Sequence, residues 1–191
     1  IAKLKNEINY YLNIPPTVSY LFPELIEYKP DYSSYTMEYI PYKDLSELIL
    51  EDSLNAETLF MLMEKLFNIL DIIHTSVPAV KKSQELSKFY TEKTLDRIKA
   101  LRANKYLYDL DSQESLVING KAYKTFKKLQ KDFIEAIQIC AASYPVLKMI
   151  HGDFCFGNIL YCPLTHHIKL IDPRGSFIAP GIYGHPLYDY A

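Results

Sequence analysis

His151-Gly152-Asp153-Phe154-Cys155-Phe156-Gly157-Asn158-Ile159-Leu160-Tyr161, followed by Ile168-Lys169-Leu170-Ile171-Asp172-Pro173-Arg174-Gly175, is the stretch on which the reading of this chain turns. Ile159–Tyr161 and His167–Ile171 are short apolar runs on either side of Pro163-Leu164-Thr165, and they read as a β-hairpin. A hairpin returns Asp172 to the level of Asn158, while Asp153 sits at the apex of the loop in front of it. A plain polar turn, with Asp153 and Asn158 capping loop backbone, is the simpler reading. It requires neither residue at this offset and no second carboxylate behind the next strand.

The spacing has a chemical meaning. A carboxylate, an amide and a second carboxylate in the order Asp153, Asn158, Asp172 suit phosphoryl transfer from a metal-bound nucleotide. An attacking alcohol needs its oxygen oriented and its proton accepted, and Asp153 is placed for that role. The nucleotide phosphates need Mg²⁺, which takes a few oxygen ligands and completes its octahedron with water. Asn158 offers an amide oxygen and Asp172 a carboxylate.

At these residues the chain resembles a known group of proteins. Met149 to Gly175 looks like the aminoglycoside phosphotransferase and choline kinase group, which shares the protein-kinase fold and includes the fructosamine kinases. Tyr183-Gly184-His185-Pro186-Leu187-Tyr188-Asp189 is similar to the ending of the latter. Gly152 stands where protein kinases usually carry Arg, and Asp172-Pro173 replaces their D-F-G. The I-D-P-R-G form also resembles kinase-like domains in bacterial surface-polysaccharide gene sets. That likeness implies a nucleotidyltransferase domain, fused or associated, as a partner.

The resemblance implies an α+β, protein-kinase-like fold. Residues 1–40 would be the remnant of a small, nucleotide-binding lobe, and residues 41–191 a mostly helical large lobe carrying the catalytic loop and the metal-binding hairpin. It implies an ATP- and Mg²⁺-dependent phosphotransferase acting on a hydroxyl of a small molecule: a sugar, amino alcohol, amino sugar or glycated amine. Asp153 would be catalytic, and Asn158 and Asp172 would hold the metal. Glu38 and Ile40 would meet the adenine edge through backbone C=O and N–H. Glu7 would partner a lysine on a strand that, with its Gly-rich turn, is not among these residues, so the chain alone is expected to be inactive. His151 and Asp189 would support the loop. Two other readings use the same residues: a non-catalytic kinase-like module that binds a nucleotide or partner, and a metal-dependent hydrolase.

Composition agrees without leading there. The chain has 191 residues, 49% hydrophobic and 23% charged, an ordinary globular balance. A net charge of −2 gives no basic footprint for nucleic acid. No apolar run approaches the length of a membrane span, and no signal peptide opens the sequence. Cys140, Cys155 and Cys162 form no C-x-x-C pair and read as reduced thiols of a cytoplasmic protein.

Outward from the motif, Lys3–Asn13 reads as an amphipathic helix ended by Pro15-Pro16. Glu24–Lys29 and Tyr35–Ile40 read as strands around the turn-forming Pro30–Ser34. Pro41 and Asp44 open a short helix through Leu50, and Asn55 can cap a long one to about Thr75. Helices are expected at Gln84–Ala103 and Lys121–Ala142, with a polar loop over Asn104–Gly120 and a strand at Val146–Ile150. Glu7 has a second reading as a solvated helix residue facing Lys3. His74 reads as a capping or core histidine, and His166 and His167 as hairpin-tip residues. Lys81-Lys82 and Lys127-Lys128 read as solvated faces. Arg174 would bind a phosphate or an anionic acceptor, or by default pair with a nearby carboxylate.

Overall fold

The computed structural model describes residues 2–190, with the side chain of Ser83 left aside. Helix takes 49% of the chain and strand 16%, the strands forming small antiparallel sheets, which makes the protein α+β. By contacts it divides into two compact units: residues 1–80 with 146–191, and residues 81–145.

In the first unit, α1 (Ala2–Leu12) turns Glu7, Ile8, Tyr10 and Tyr11 inward. The i, i+3, i+4 spacing puts these on one stripe. After the prolines, a 3₁₀ turn (Ser19–Leu21) leads to β1 (Leu25–Tyr28). β1 pairs with β2 (Tyr35–Met37) across a bulge between Leu25 and Glu27. β2 is shorter than the expected Tyr35–Ile40: the Glu38 N–H still reaches the Glu24 carbonyl at 2.8 Å, and the ladder stops there. β3 (Lys43–Asp44) leads into α2 (Leu45–Leu50), which the Asp44 side chain caps by accepting from Glu47 N–H at 2.9 Å. Asn55 caps α3 (Ala56–Thr75) in the same way at Thr58 N–H, 2.8 Å. Both caps fall where the sequence put them.

Leu62, Leu66, Ile69 and Ile73 of α3 pack with Tyr10, Phe22, Leu45, Met149, Ile159, Tyr161 and Leu170 into one core. β7 (Val146–Met149) pairs with β10 (Tyr183–Gly184). β8 (Ile159–Tyr161) and β9 (Ile168–Leu170) form the expected hairpin, with Ile159 opposite Leu170, and β3 extends that sheet along β8.

The second unit begins within β4 (Val80–Lys81). It holds α4 (Ser83–Arg102), α5 (Lys105–Asp111), a hairpin of β5 (Leu116–Ile118) and β6 (Lys121–Tyr123), and α6 (Phe126–Ser143). Two expectations fail here. Asn104–Gly120 is not a polar loop: Asn104 caps α5 at Leu107 N–H, and β5 follows. The helix expected at Lys121–Ala142 starts five residues later, at Phe126, because Lys121–Tyr123 is strand. The cause is Asn119-Gly120. Both residues take positive φ, +53° and +77°, as a two-residue hairpin turn requires. No helix of the described residues is long and apolar enough to cross a membrane.

Candidate active site

The site grows from the end of β7. Ile150 N–H donates to the Ile182 carbonyl at 3.0 Å, and the Ile150 carbonyl accepts from the Tyr10 hydroxyl at 2.9 Å. The chain then turns at Gly152, whose φ of +79° suits glycine. A Cβ there would also lie 2.7 Å from the Arg174 Cβ. The turn is pinned from beneath by Asp189. Its Oδ1 accepts from Gly152 N–H at 2.7 Å, and its Oδ2 from His151 N–H at 3.0 Å. The same Oδ2 lies 2.9 Å from the His74 ring nitrogen, and the Asp189 side chain is fully buried.

His151 is buried, its ring stacked on Phe22 at 6.3 Å and edge-on to Phe154 at 5.9 Å. Burial holds its pKa below the ordinary histidine value, outweighing Asp189 and the backbone groups of Ile171 and Asp153, which favour the charged ring. Neither ring nitrogen makes a well-formed hydrogen bond. Enclosed between Phe22 and Phe154, the ring packs the loop.

This support leaves Asp153 exposed at the apex. A tight turn follows, in which Cys155 N–H reaches the Asp153 carbonyl and Asn158 N–H the Cys155 carbonyl, each at 2.9 Å. It folds Asn158 back onto Asp153. The Asn158 amide nitrogen donates to the Asp153 carbonyl at 2.9 Å and to its carboxylate at 3.1 Å. With the nitrogen so engaged, the Asn158 amide oxygen is left as a donor atom for a cation. Ile171 N–H donates to the Asn158 carbonyl at 3.0 Å. The hairpin thus brings Asp172 alongside Asn158, in the left-handed region at φ +54°. Aspartate tolerates that region better than most side chains.

Asp153, Asp172 and Glu7 line one cleft of about 410 Å³, together with Lys3, Asn6, Pro173, Arg174 and Ser176. Glu7 is not a solvated helix residue: it is 7% exposed and accepts from the Tyr35 hydroxyl at 2.6 Å. Burial raises its pKa and the neighbouring Asp172 raises it further, against the lowering effect of Tyr35 and Lys3. Tyr11 borders the same carboxylates with its hydroxyl buried, and burial pushes its phenol up. α1 can come this close because Gly175 (φ +63°) has no Cβ; one would overlap the Asn6 carbonyl and lie 2.9 Å from Glu7 N.

The donors facing the cleft are hard oxygens, which suit Mg²⁺. Among the described residues no three His, Cys, Asp or Glu side chains converge tightly enough to hold a metal ion by themselves.

Glu38 and Ile40 do not line this cleft. The Glu38 carboxylate accepts from Glu24 N–H at 3.2 Å and faces Lys169 at 3.6 Å. The Glu38 carbonyl and Ile40 N–H carry no hydrogen bond among the described residues. Among the described residues Arg174 meets no carboxylate partner. Its Nε donates to the Ser176 carbonyl at 2.8 Å and its Nη1 to the Tyr188 hydroxyl at 3.1 Å, with the guanidinium 5.5 Å over the Tyr188 ring. Sequence reasoning missed Tyr35 and the pairing of His74 with Asp189. Both depend on contacts between segments far apart in the chain, and neither leaves a local signal. No protein-family model matches this chain, and no curated protein is significantly similar to it.

Proposed function

We propose that the chain carries the acceptor and metal side of an ATP-dependent phosphotransferase with a protein-kinase-like fold, acting on a hydroxyl of a small molecule. The observation that carries this reading is the convergence of Asp153, Asp172 and Glu7 on one cleft, with Asn158 clasped to Asp153. Asp153 orients the acceptor hydroxyl and takes its proton as the new O–P bond forms and the bond to the leaving diphosphate breaks. Asn158 keeps the Asp153 carboxylate in that orientation, and Asp189 and His151 keep the loop rigid beneath it. Asp172 and the Asn158 amide oxygen hold Mg²⁺. When bound, Mg²⁺·ATP supplies the phosphoryl group and neutralises the charge that develops on it. Glu7 positions a cation on the nucleotide side, and the free backbone groups of Glu38 and Ile40 are available to an adenine edge.

The test is an acceptor screen of the full-length protein with ATP and Mg²⁺, followed by two substitutions. Asp153→Asn lowers turnover roughly 10²–10⁴-fold, the usual contribution of a general base, with nucleotide affinity nearly intact. Asp172→Ala weakens Mg²⁺-dependent nucleotide binding as well as turnover. Near-normal turnover in Asp153→Asn removes that residue from the role. An Asp172→Ala protein with the wild-type metal dependence removes the metal assignment.

A further inference from the structure

Arg174 lines the cleft, and the proposed reaction does not use its chemistry. Its position is nevertheless fixed at several points. Its N–H donates to the His151 carbonyl at 2.9 Å, so its backbone is tied to the loop that carries Asp153. Its Cβ packs over Gly152, where any larger residue would collide with it. The guanidinium is held by the Ser176 carbonyl and by the hydroxyl and ring of Tyr188. Tyr188 is itself braced by Phe177, edge-to-face at 5.1 Å.

These partners are neutral, so they orient the guanidinium without cancelling its charge. A guanidinium has five N–H donors, and among the described residues two are engaged here, leaving an edge free. Arg174 is exposed and lines the same cleft as Asp153. A cation that is oriented, unneutralised and preorganised in this way suits a planar or tetrahedral oxyanion. Its anchors also say which side it serves. Glu7 belongs to α1, and Asp172 stands close enough to raise its pKa. Ser176 and Tyr188 belong to the segment after the hairpin, and the stem of Arg174 lies over Gly152, next in the chain to Asp153, the residue proposed to address the acceptor.

We propose that Arg174 selects the acceptor by binding an oxyanion on it, a phosphate or a carboxylate, while Asp153 addresses its hydroxyl. The acceptor is then an anionic hydroxy compound such as a sugar phosphate or a sugar acid. This deepens the phosphotransferase reading and rests on it.

The experiment has two arms on the full-length protein, using wild type, Arg174→Gln and Arg174→Lys. The transfer arm offers a hexose, its 6-phosphate and the corresponding uronate with ATP and Mg²⁺. Wild type prefers the anionic acceptors, and which of the two it prefers separates phosphate from carboxylate. Arg174→Gln raises KM for the preferred acceptor roughly 10–100-fold, the range for losing a charge-assisted hydrogen bond, with a much smaller change in kcat. Arg174→Lys keeps the stem and the charge, and recovers part of the loss. The binding arm titrates hexose 6-phosphate and inorganic phosphate without nucleotide, following the arginine Nε–H resonances. One resonance shifts in wild type, and Arg174→Gln abolishes that shift. Oxyanion binding that survives Arg174→Gln, or a neutral hexose preferred by wild type, overturns the assignment. Binding that depends on Arg174 with no transfer to any acceptor upholds the oxyanion site and overturns the phosphotransferase reading.

Discussion

Each of the two units is fastened by a buried aspartate, and the two are used differently. In the unit of residues 1–80 and 146–191, Asp189 accepts from two consecutive loop N–H groups and faces the His74 ring. In the unit of residues 81–145, Asp111 accepts from Lys127 N–H at 2.9 Å, in the first turn of α6, and from Arg102 Nε at 2.7 Å. Asp111 staples helix to helix and could be exchanged for good apolar packing. Asp189 spends its acceptors on the backbone of a loop that has no ladder of its own. A buried charge that serves a loop marks where geometry matters more than stability. The glycines point the same way: Gly152 and Gly175 admit close contacts around the cleft, whereas Gly120 only completes a turn and has nothing within 4 Å of where a Cβ would be.

The largest effect expected is from Asp189→Ala. It strands two buried N–H groups and a buried imidazole, and breaking a buried pair costs about 3–5 kcal/mol. Urea unfolding measures it. A loss below ~1 kcal/mol would mean that the loop is held by something else and would erase the contrast with Asp111. Next in size is Gly175→Ala. Strain at positive φ and overlap with the Asn6 carbonyl together cost about 2–3 kcal/mol. The signature is local, because α1 must lift: amide protection along Ala2–Leu12 falls while that of α3 stays. Uniform loss of protection would show that α1 is not an independent wall of the cleft.

The same contrast governs what could be read from the sequence. α1, α3, both aspartate and asparagine caps and the β8–β9 hairpin are periodic or local, so their signals sit within a few residues. So does the relation of Asp172 to Asn158, which follows from hairpin register. The unit of residues 81–145 is less legible for two reasons. α5 has only 7 residues, too few to display a helical period. Asn119-Gly120, a strong hairpin signal between Leu116–Ile118 and Lys121–Tyr123, was overrun by the helical pattern that follows it. The burial of Glu7 beneath Tyr35 and the meeting of His74 with Asp189, 115 residues apart, are products of tertiary packing and had no local trace.

Asp111→Ala is expected to cost less than Asp189→Ala, about 1–2 kcal/mol, the size of a lost helix N-cap. Its partner Arg102 keeps a side-chain exposure of 31% and can rehydrate. Burial works to raise the Asp111 pKa, but Lys127 N–H and Arg102 together outweigh it, and the pKa lies below the ordinary 3.8. A depressed carboxylate stabilises above its unfolded pKa, and that contribution is lost as pH falls through the folded value. Protection of Lys127 N–H, taken relative to its intrinsic exchange rate at each pH, should therefore fall in acid below about pH 4 in wild type, and should be low at every pH in the alanine variant. Acid-insensitive protection in wild type would show that the α6 terminus does not depend on Asp111.

The smallest effect is the most telling, because Glu7 shifts in the opposite direction to Asp111. Its pKa is raised above the ordinary 4.5, first by burial and then by Asp172 across the cleft. A carboxylate raised on folding binds more protons in the native state than in the unfolded chain, so stability falls as pH climbs from the unfolded value through the folded one. Glu7→Gln removes that dependence while keeping a polar partner for the Tyr35 hydroxyl. At pH 4 the variant and wild type should unfold at nearly the same urea concentration. Above the window the variant should be the more stable of the two. On the proposed reading, Mg²⁺ with nucleotide brings positive charge to Asp172, and should then recover part of the deficit in wild type and little in the variant. A wild-type curve flat across the window would mean that Glu7 ionises there as freely as in the unfolded chain. In that case the cleft would hold no stored repulsion for a bound cation to relieve, and Glu7 would be as purely structural as Asp111.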